Sequence, residues 1–453
     1  MGASRRKRRK KPVVPAAASP PPADAAGPRA RLAMRVVVIA YLFLAGLYAV
    51  GIPLGKGPDE TAHMRYFTYL AEHHTLPVFD RDSPGPDYEF HQPPLYYAVC
   101  LPTYLLATRH GGTGDLAVRF ATILLGLPLL YLTFALARTL APTRPWLGPA
   151  AAGLVAFLPM HLALAASVSN DVLTEVFFAA FLCLAAQHLR AAADYRTGKT
   201  PNPPGVLTMA VLGLLIGLGI LTKSIAVLLL PAAWLTAALS ARGRDGYDWS
   251  RLARDAALST GVALAVAGWW LVRNYQLYDG FLAQKAFLQA FRDRPSPQSF
   301  MSSYGLAPPS YVILVIGWTL ASVVGVFGPK FAFLPFQVYL VTGLIALVGL
   351  AGFARYLARA ELQDWQRQAW VVFGLLGFLL LAGFIKFNLS FFQAQARYLF
   401  PALPAAALAF GLGFEQWFPR GWRHGAPLAA ALGLALLALL ALPLWITPQL
   451  QIP

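Results

Sequence analysis

The sequence predicts an all-α, polytopic membrane protein, and three observations carry that reading. Hydrophobic residues make up 57% of the 453 positions and charged residues only 13%, with a mean hydropathy of +0.54. A soluble domain carries about 25% charged residues, so this composition excludes a cytosolic globular enzyme. Apolar runs of about 20 residues recur from Val36 to Ile446, each long enough as a helix to cross roughly 30 Å of hydrocarbon. The third observation is the uneven distribution of Lys and Arg between the loops. Cys100 and Cys183 supply neither a disulfide framework nor a zinc-ligand spacing.

Helices are expected near 34–54, 119–138, 147–166, 172–190, 206–222, 224–240, 256–274, 335–356, 369–387, 398–416 and 427–447, about eleven spans by hydropathy. The net charge of +17 would suit a nucleic-acid partner if it were clustered on one surface, but it is dispersed as a topology signal, and no nucleic acid is expected. With the head Arg5-Arg6-Lys7-Arg8-Arg9-Lys10-Lys11 in the cytoplasm, the segments on that side hold 24 of the 37 Lys and Arg. The outer segments hold the other 13, while carboxylates divide as about 8 inside and 12 outside. An N-in, C-out topology follows. Residues 1–33 form a basic, Pro/Ala-rich tail that buries too little apolar surface to fold, so disorder is expected there. The domain at 34–453 begins with an uncleaved span, because its first apolar stretch is too long for a signal-peptide core and no A-x-A site follows.

Two outer segments, about 55–118 and about 275–334, are too long to be turns, and function is expected in them. The first holds Pro58-Asp59-Glu60-Thr61-Ala62-His63, an amphipathic stretch, acids at Asp80, Asp82, Asp87 and Glu89, and then His91-Gln92-Pro93-Pro94-Leu95-Tyr96-Tyr97. The acidic stretch 80–89 reads as a mobile surface loop. Residues 95–108 are apolar but too short to span, which suits an interfacial helix. The second holds Arg273-Asn274-Tyr275 at its start and apolar 311–327, for which both a re-entrant and a spanning course stand.

Those motifs resemble the GT-C membrane glycosyltransferases, in particular the bacterial branch related to protein O-mannosyltransferases and lipid A aminoarabinose transferases. The tyrosine after the first motif, Tyr66, is shifted from the family's position. Ser169-Asn170-Asp171, Leu221-Thr222-Lys223, Arg273-Asn274 and Ala396-Arg397-Tyr398-Leu399-Phe400-Pro401 fall where that branch carries similar short motifs, so the resemblance runs over about 34–416. It implies a GT-C-like fold in the cytoplasmic (inner) membrane and transfer of a sugar from a polyprenyl-phosphate carrier at the outer face. The implied partners are that donor, a glycan, lipid or protein acceptor, and the bilayer. The family carries its base at the first acid of the Asp59-Glu60 pair.

The residues also have a chemistry of their own. Glycosyl transfer needs a base for the acceptor hydroxyl, and a carboxylate is the usual solution. Asp59 is the first candidate because the resemblance puts the base at the first acid of the pair, with helix N-capping as its plain alternative. Glu60, about 100° away around a helix, would orient the base or contact sugar hydroxyls. His63 shares a helical face with Asp59. Asp171 is the other acid at the outer edge, with a helix cap as its alternative. An Asp/His pair is a poor metal signature, since stable sites take three or four ligands. No metal and no other cofactor is therefore the expectation, a divalent ion being left open. Lys223, Arg273 and Arg397 are candidate cations for the donor phosphate, against snorkelling as the structural alternative. His63, His91, Asp171 and Tyr96 complete the substrate contacts, while Gly213, Gly217 and Gly219 read as close helix packing. A transporter would place charges near mid-bilayer and show repeated halves, neither of which is seen, and a non-catalytic export partner is the remaining alternative.

Overall fold

The computed structural model describes residues 27–451 except 81, 83, 84, 245, 329 and 330. The expected disorder of the tail therefore lies, for 1–26, outside the described residues. Helix α1 (Pro28–Gly51) starts ahead of residue 34 because Pro28 and the basic turn after it extend the helix before the apolar run begins. Proline suits that first turn, where its missing N–H has no helical partner to lose. The first long segment then forms α2 (Glu60–His73), a 3-10 turn at Gly85–His91, and the interfacial helix α3 (Leu95–Arg109). α4 (Gly114–Leu140) is followed by α5 (Leu147–Ala156) and α6 (Pro159–Ala165), bent by 68°. The bend falls at Leu158, which Pro159 forces out of the helical region.

α7 (Asp171–Arg196) and α8 (Val206–Ile220) come next, and a 3-10 turn at Ser224–Leu228 leads into α9 (Leu229–Ser240). α10 (Trp249–Tyr278) is N-capped by the Asp248 carboxylate, which accepts from the Arg251 amide. The second long segment holds α11 (Gln284–Ala290), α12 (Pro297–Tyr304), α13 (Pro308–Val324) and a two-stranded antiparallel hairpin, β1 (Val326–Phe327) with β2 (Ala332–Phe333). α14 (Phe336–Arg359), α15 (Asp364–Ser390), a 3-10 turn at Ala396–Ala402, α16 (Leu403–Phe414), α17 (Ala426–Ala441) and α18 (Thr447–Leu450) complete the chain.

Among the described residues eight helical segments are long and apolar enough to cross a bilayer, and α5 with α6, α8, and Ser224–Ser240 supply shorter or bent apolar pieces at the remaining expected positions. The protein is a multi-pass membrane protein. Contacts fix which helix ends lie together. Thr447 donates to the Gly51 carbonyl, Gln366 to the Leu140 carbonyl, and Arg144 pairs with Glu415. The ends at Gly51, Asp171, Lys223, Tyr278 and Arg397 thus form one face of the bundle, and those at Leu140, Arg144, Gln366 and Glu415 the other. α13 stays at the first face. The rings of Tyr311 and Trp318 both contact Phe392, and the Ser322 hydroxyl binds the Ala396 amide. Together with α12 it forms a pair bent by 105°.

Apolar packing follows from small residues. Gly213 and Gly217 of α8 lie one turn apart and abut the Ser259 and Ala263 backbone of α10, so the pair packs closely, as expected from the sequence. A third buried cluster, built on Tyr66, Phe67, Tyr96 and Tyr97, fills the face where the long segments gather. Because any side chain at 213 collides with backbone, Gly213→Leu should lower the melting temperature in detergent markedly. Gly205→Ala, with open space around it, should leave it within about a degree, since surface changes usually cost under about 0.5 kcal/mol. Equal melting temperatures for the two variants would contradict the packing.

Candidate functional site

The site begins where α1 ends. Asp59 takes a left-handed backbone conformation, φ 54°, which Asp tolerates better than most residues, and this turns its side chain away from the helix it precedes. Its carboxylate does not cap α2. It accepts from the Tyr88 hydroxyl at 2.9 Å and from Arg397 Nη2 at 2.5 Å. The capping alternative for Asp59 is thereby replaced by a cluster contact.

Glu60 goes the other way. Its Oε1 accepts from Arg119 Nε (2.7 Å) and the Val168 amide (3.2 Å), and its Oε2 from Arg119 Nη2 (2.7 Å) and the amides of Gly55 (2.9 Å) and Gly57 (3.0 Å). Five donors saturate a carboxylate. Of the two parts expected of Glu60, contact with sugar hydroxyls finds no free oxygen, and its hold on the loop that carries Asp59 is of the orienting kind. Arg119 is fully used as well, its remaining N–H groups reaching the carbonyls of Ala49, Ile52 and Pro53 at the end of α1.

Arg397 projects from the turn that Ser322 of α13 fixes, and its Nη1 lies 3.6 Å from Asp171 Oδ2. Asp171 opens α7, accepts from Ser169 Oγ at 3.1 Å and pairs with Lys223, which stands in extended backbone just after α8. Asn170 ties the same two elements by donating to the Thr222 carbonyl. The result is a buried chain of alternating charge, Asp59–Arg397–Asp171–Lys223. Arg397 Nε is buried without a hydrogen-bond partner.

α2 adds His63, whose Nδ1 is 2.7 Å from the Tyr97 hydroxyl, and Tyr97 stacks on Tyr66 at 3.6 Å. The 3-10 turn adds Glu89, 3% exposed, with Oε2 lacking a partner. Burial acts to raise the Asp59 carboxyl, but the charge and hydrogen bond of Arg397, with His63 and Tyr88, outweigh it and hold the group well below the usual carboxylate range. Burial raises Glu89, against the nearby His63. His63 is lowered by burial, against Glu89 and Asp59.

The structure therefore brings together Asp59, His63, Asp171, Lys223 and Arg397, and it does not bring in three other candidates. Arg273 donates to the Pro77 carbonyl just after α2 and lies over Trp270, its Nη1 buried without a partner, and among the described residues no ion pair joins it to the chain of charges. Tyr96 is wholly buried, bonded to Thr122 and the Ser169 amide. His91 packs between Phe79 and Phe287 and bonds the Tyr88 carbonyl, with burial pulling it down to about 4. Tyr88, Glu89 and Arg119 were not singled out by the sequence. The first two belong to the stretch read as a surface loop, whose end is instead folded into the site. The alternation Tyr88-Glu89-Phe90-His91 after Gly85-Pro86 is the one signal for that.

Among the described residues no group of three or more His, Cys, Asp or Glu is placed to hold a metal ion, and Asp59 and Asp171 are joined by the Arg397 guanidinium.

Residues 91–270 match the family model described as dolichyl-phosphate-mannose-protein mannosyltransferase. No curated protein sequence matches the chain. Among solved structures, ArnT from Cupriavidus metallidurans bound to undecaprenyl phosphate is similar at a TM-score of 0.53 and 18% identity, over 91% of this chain and 64% of that one. The oligosaccharyltransferase of Archaeoglobus fulgidus is similar in its complex with Zn and sulfate (0.51, 15%, 89% and 52%). So is AglB from the same organism, in complex with an inhibitory peptide and a dolichol-phosphate (0.50, 12%, 92% and 56%). The chain thus spans under two thirds of the length of these proteins. Its fold is the one these solved proteins share, and the sequence resemblance implied a fold of that kind.

Removing one partner of a buried pair strands the other, at a cost of about 3–5 kcal/mol. Arg119→Met should therefore lower the melting temperature sharply, and the double variant Arg119→Met/Glu60→Gln should recover part of the loss. A double variant no more stable than the single one would show that the pair is not coupled.

Proposed function

We propose that this protein transfers a sugar from a polyprenyl-phosphate-linked donor to a hydroxyl of a cell-envelope glycan, lipid or protein, at the outer face of the cytoplasmic membrane and by inverting displacement. The observation that carries this reading is Asp59. Its carboxylate is turned off the helix end and into a buried cluster holding two cations. The likeness to a fold solved with undecaprenyl phosphate and with a dolichol-phosphate points to the donor class.

In this reading Asp59 takes the acceptor hydroxyl proton while the acceptor oxygen bonds to the anomeric carbon. The bond from that carbon to the phosphate oxygen breaks on the opposite side, and the carrier phosphate leaves with the electron pair. Arg397, through its unpartnered Nε, and Lys223 would hold that phosphate and lower the barrier as its charge grows. A phosphate drawing on Arg397 loosens the guanidinium's grip on Asp59, so donor binding itself makes the base stronger. The 24 to 13 division of basic residues supports placing this face outside and the N-terminus in the cytoplasm.

Asp59→Asn keeps shape and removes basicity. Assayed in membranes with the lipid-linked donor fraction of cells lacking the protein, it should lose about 10²–10⁴-fold in turnover while undecaprenyl phosphate still binds. Near wild-type turnover would sink the assignment. Arg397→Ala should weaken undecaprenyl phosphate binding as well as rate, since the carrier is charged before and after transfer.

Topology has its own test. In a background free of Cys100 and Cys183, single cysteines replacing Thr61 and Ser302 should react with an impermeant maleimide in intact cells. Those replacing Arg244 and Gln363 should not. Labelling at 363 from outside would refute the arrangement of the C-terminal half.

A further inference from the structure

Asp59 can lift a proton but is badly placed to keep it. Arg397 and Tyr88 both stabilise its ionised form, so a proton arriving there must move on to a group with no such partner. Asp171 is unsuitable for the same reason, being bound by Lys223, Arg397 and Ser169. His63 has one ring nitrogen committed to Tyr97, and burial disfavours its cation. Glu89 differs from all three. It is buried among Asp59 and His63 from the start of α2, Tyr88 on its own turn, Gln92 and Tyr97 from the α3 side, Lys223 after α8, and Tyr398. Among the described residues no salt bridge reaches it, Gln92 is the one side chain hydrogen-bonded to its carboxyl, and its Oε2 is an acceptor with no donor. A buried carboxylate oxygen left in that state is costly unless it carries a proton or meets a substrate group.

We propose that Glu89 is the carboxyl on which the proton removed from the acceptor comes to rest. The inference rests on the transfer reaction proposed above. The acceptor O–H breaks to Asp59, and the proton passes to Glu89 Oε2. Meanwhile the new carbon–oxygen bond forms and the carrier phosphate departs with the electrons of the old one. Charge supports this. With Glu89 ionised, three carboxylates (Asp59, Asp171, Glu89) face two cations (Arg397, Lys223), and a proton on Glu89 restores balance as the leaving phosphate gains negative charge. The burial that raises Glu89 favours its taking up a proton once one is released beside it. Since Glu89 must start ionised, rate is lost as pH falls through its raised pKa, at a pH above the ordinary carboxylate range.

The test is the pH dependence of turnover in purified protein, with the lipid-linked donor fraction as substrate, for wild type, Glu89→Gln, Glu89→Asp and Asp59→Asn. Wild type should show an acid limb. Glu89→Gln should lose the limb and about 10-fold or more of kcat, while Glu89→Asp keeps a limb at a shifted midpoint. Glu89→Gln with wild-type kcat and limb would overturn the proposal, as would a rise in KM alone, which would make Glu89 a substrate contact. If Glu89→Gln does not survive purification, Glu89→Asp decides the matter, an unshifted limb counting against. Asp59→Asn inactive at every pH upholds the underlying reaction whatever Glu89 does, and an active Asp59→Asn removes it.

Discussion

The site depends on one buried ion pair that takes no part in its chemistry. Arg119 and Glu60 are both wholly buried, and every donor of the guanidinium is used. The pair joins four elements: the terminal carbonyls of α1, the Gly55–Gly57 turn, the first residue of α2 and the chain entering α7 at Val168. Helix ends leave unpaired carbonyls, and α1 satisfies two of them with a side chain from α4. The turn that follows is thereby fixed, and with it the left-handed Asp59. A backbone conformation that is sparsely populated for most residues is held here by neighbours on both sides.

The cluster built on that anchor works by alternation. Each carboxylate except Glu89 touches a cation and each cation touches a carboxylate, which is how charge survives burial at the edge of a membrane protein. Such a chain resists the entry of an unpaired anion less than an apolar pocket would, because pairs can be exchanged rather than broken. It also couples the two ends of the site. Anything that draws Arg397 toward itself alters Asp59 and Asp171 together.

Among the described residues the second long segment supports the cluster without an ion pair to it. Ser322 of α13 holds the turn that carries Arg397, and the Pro295 carbonyl accepts from the Phe392 amide. Phe300, Tyr311 and Trp318 all pack on Phe392, so the 275–334 segment acts as a frame around the 390–397 stretch. The rings of α13 also meet Phe300 of α12 and Phe331 and Phe333 of the hairpin, so the parts of the frame brace one another.

The sequence alone determined the helical membrane class, the places of the apolar helices, the close packing at Gly213 and Gly217, and the two segments that gather at one face. Those features depend on hydrophobicity, residue size and charge counts summed along the chain, which are local quantities. It also brought Asp59, His63, Asp171, Lys223 and Arg397 forward, because charges beside apolar helix ends stand out. What it could not decide was partnership. Nothing local distinguishes Glu60 from Asp59, adjacent acids whose fates diverge because Arg119, far along the chain, meets only one of them. Arg273 and Arg397 look alike until folding sets one beside Pro77 and the other beside Asp59. Glu89 reads as one more acid in a polar loop until the 3-10 turn carries it inward. Contacts between residues distant in sequence exist only once the helices pack, and that packing alone chose which charges are paired and which oxygen is left without a donor.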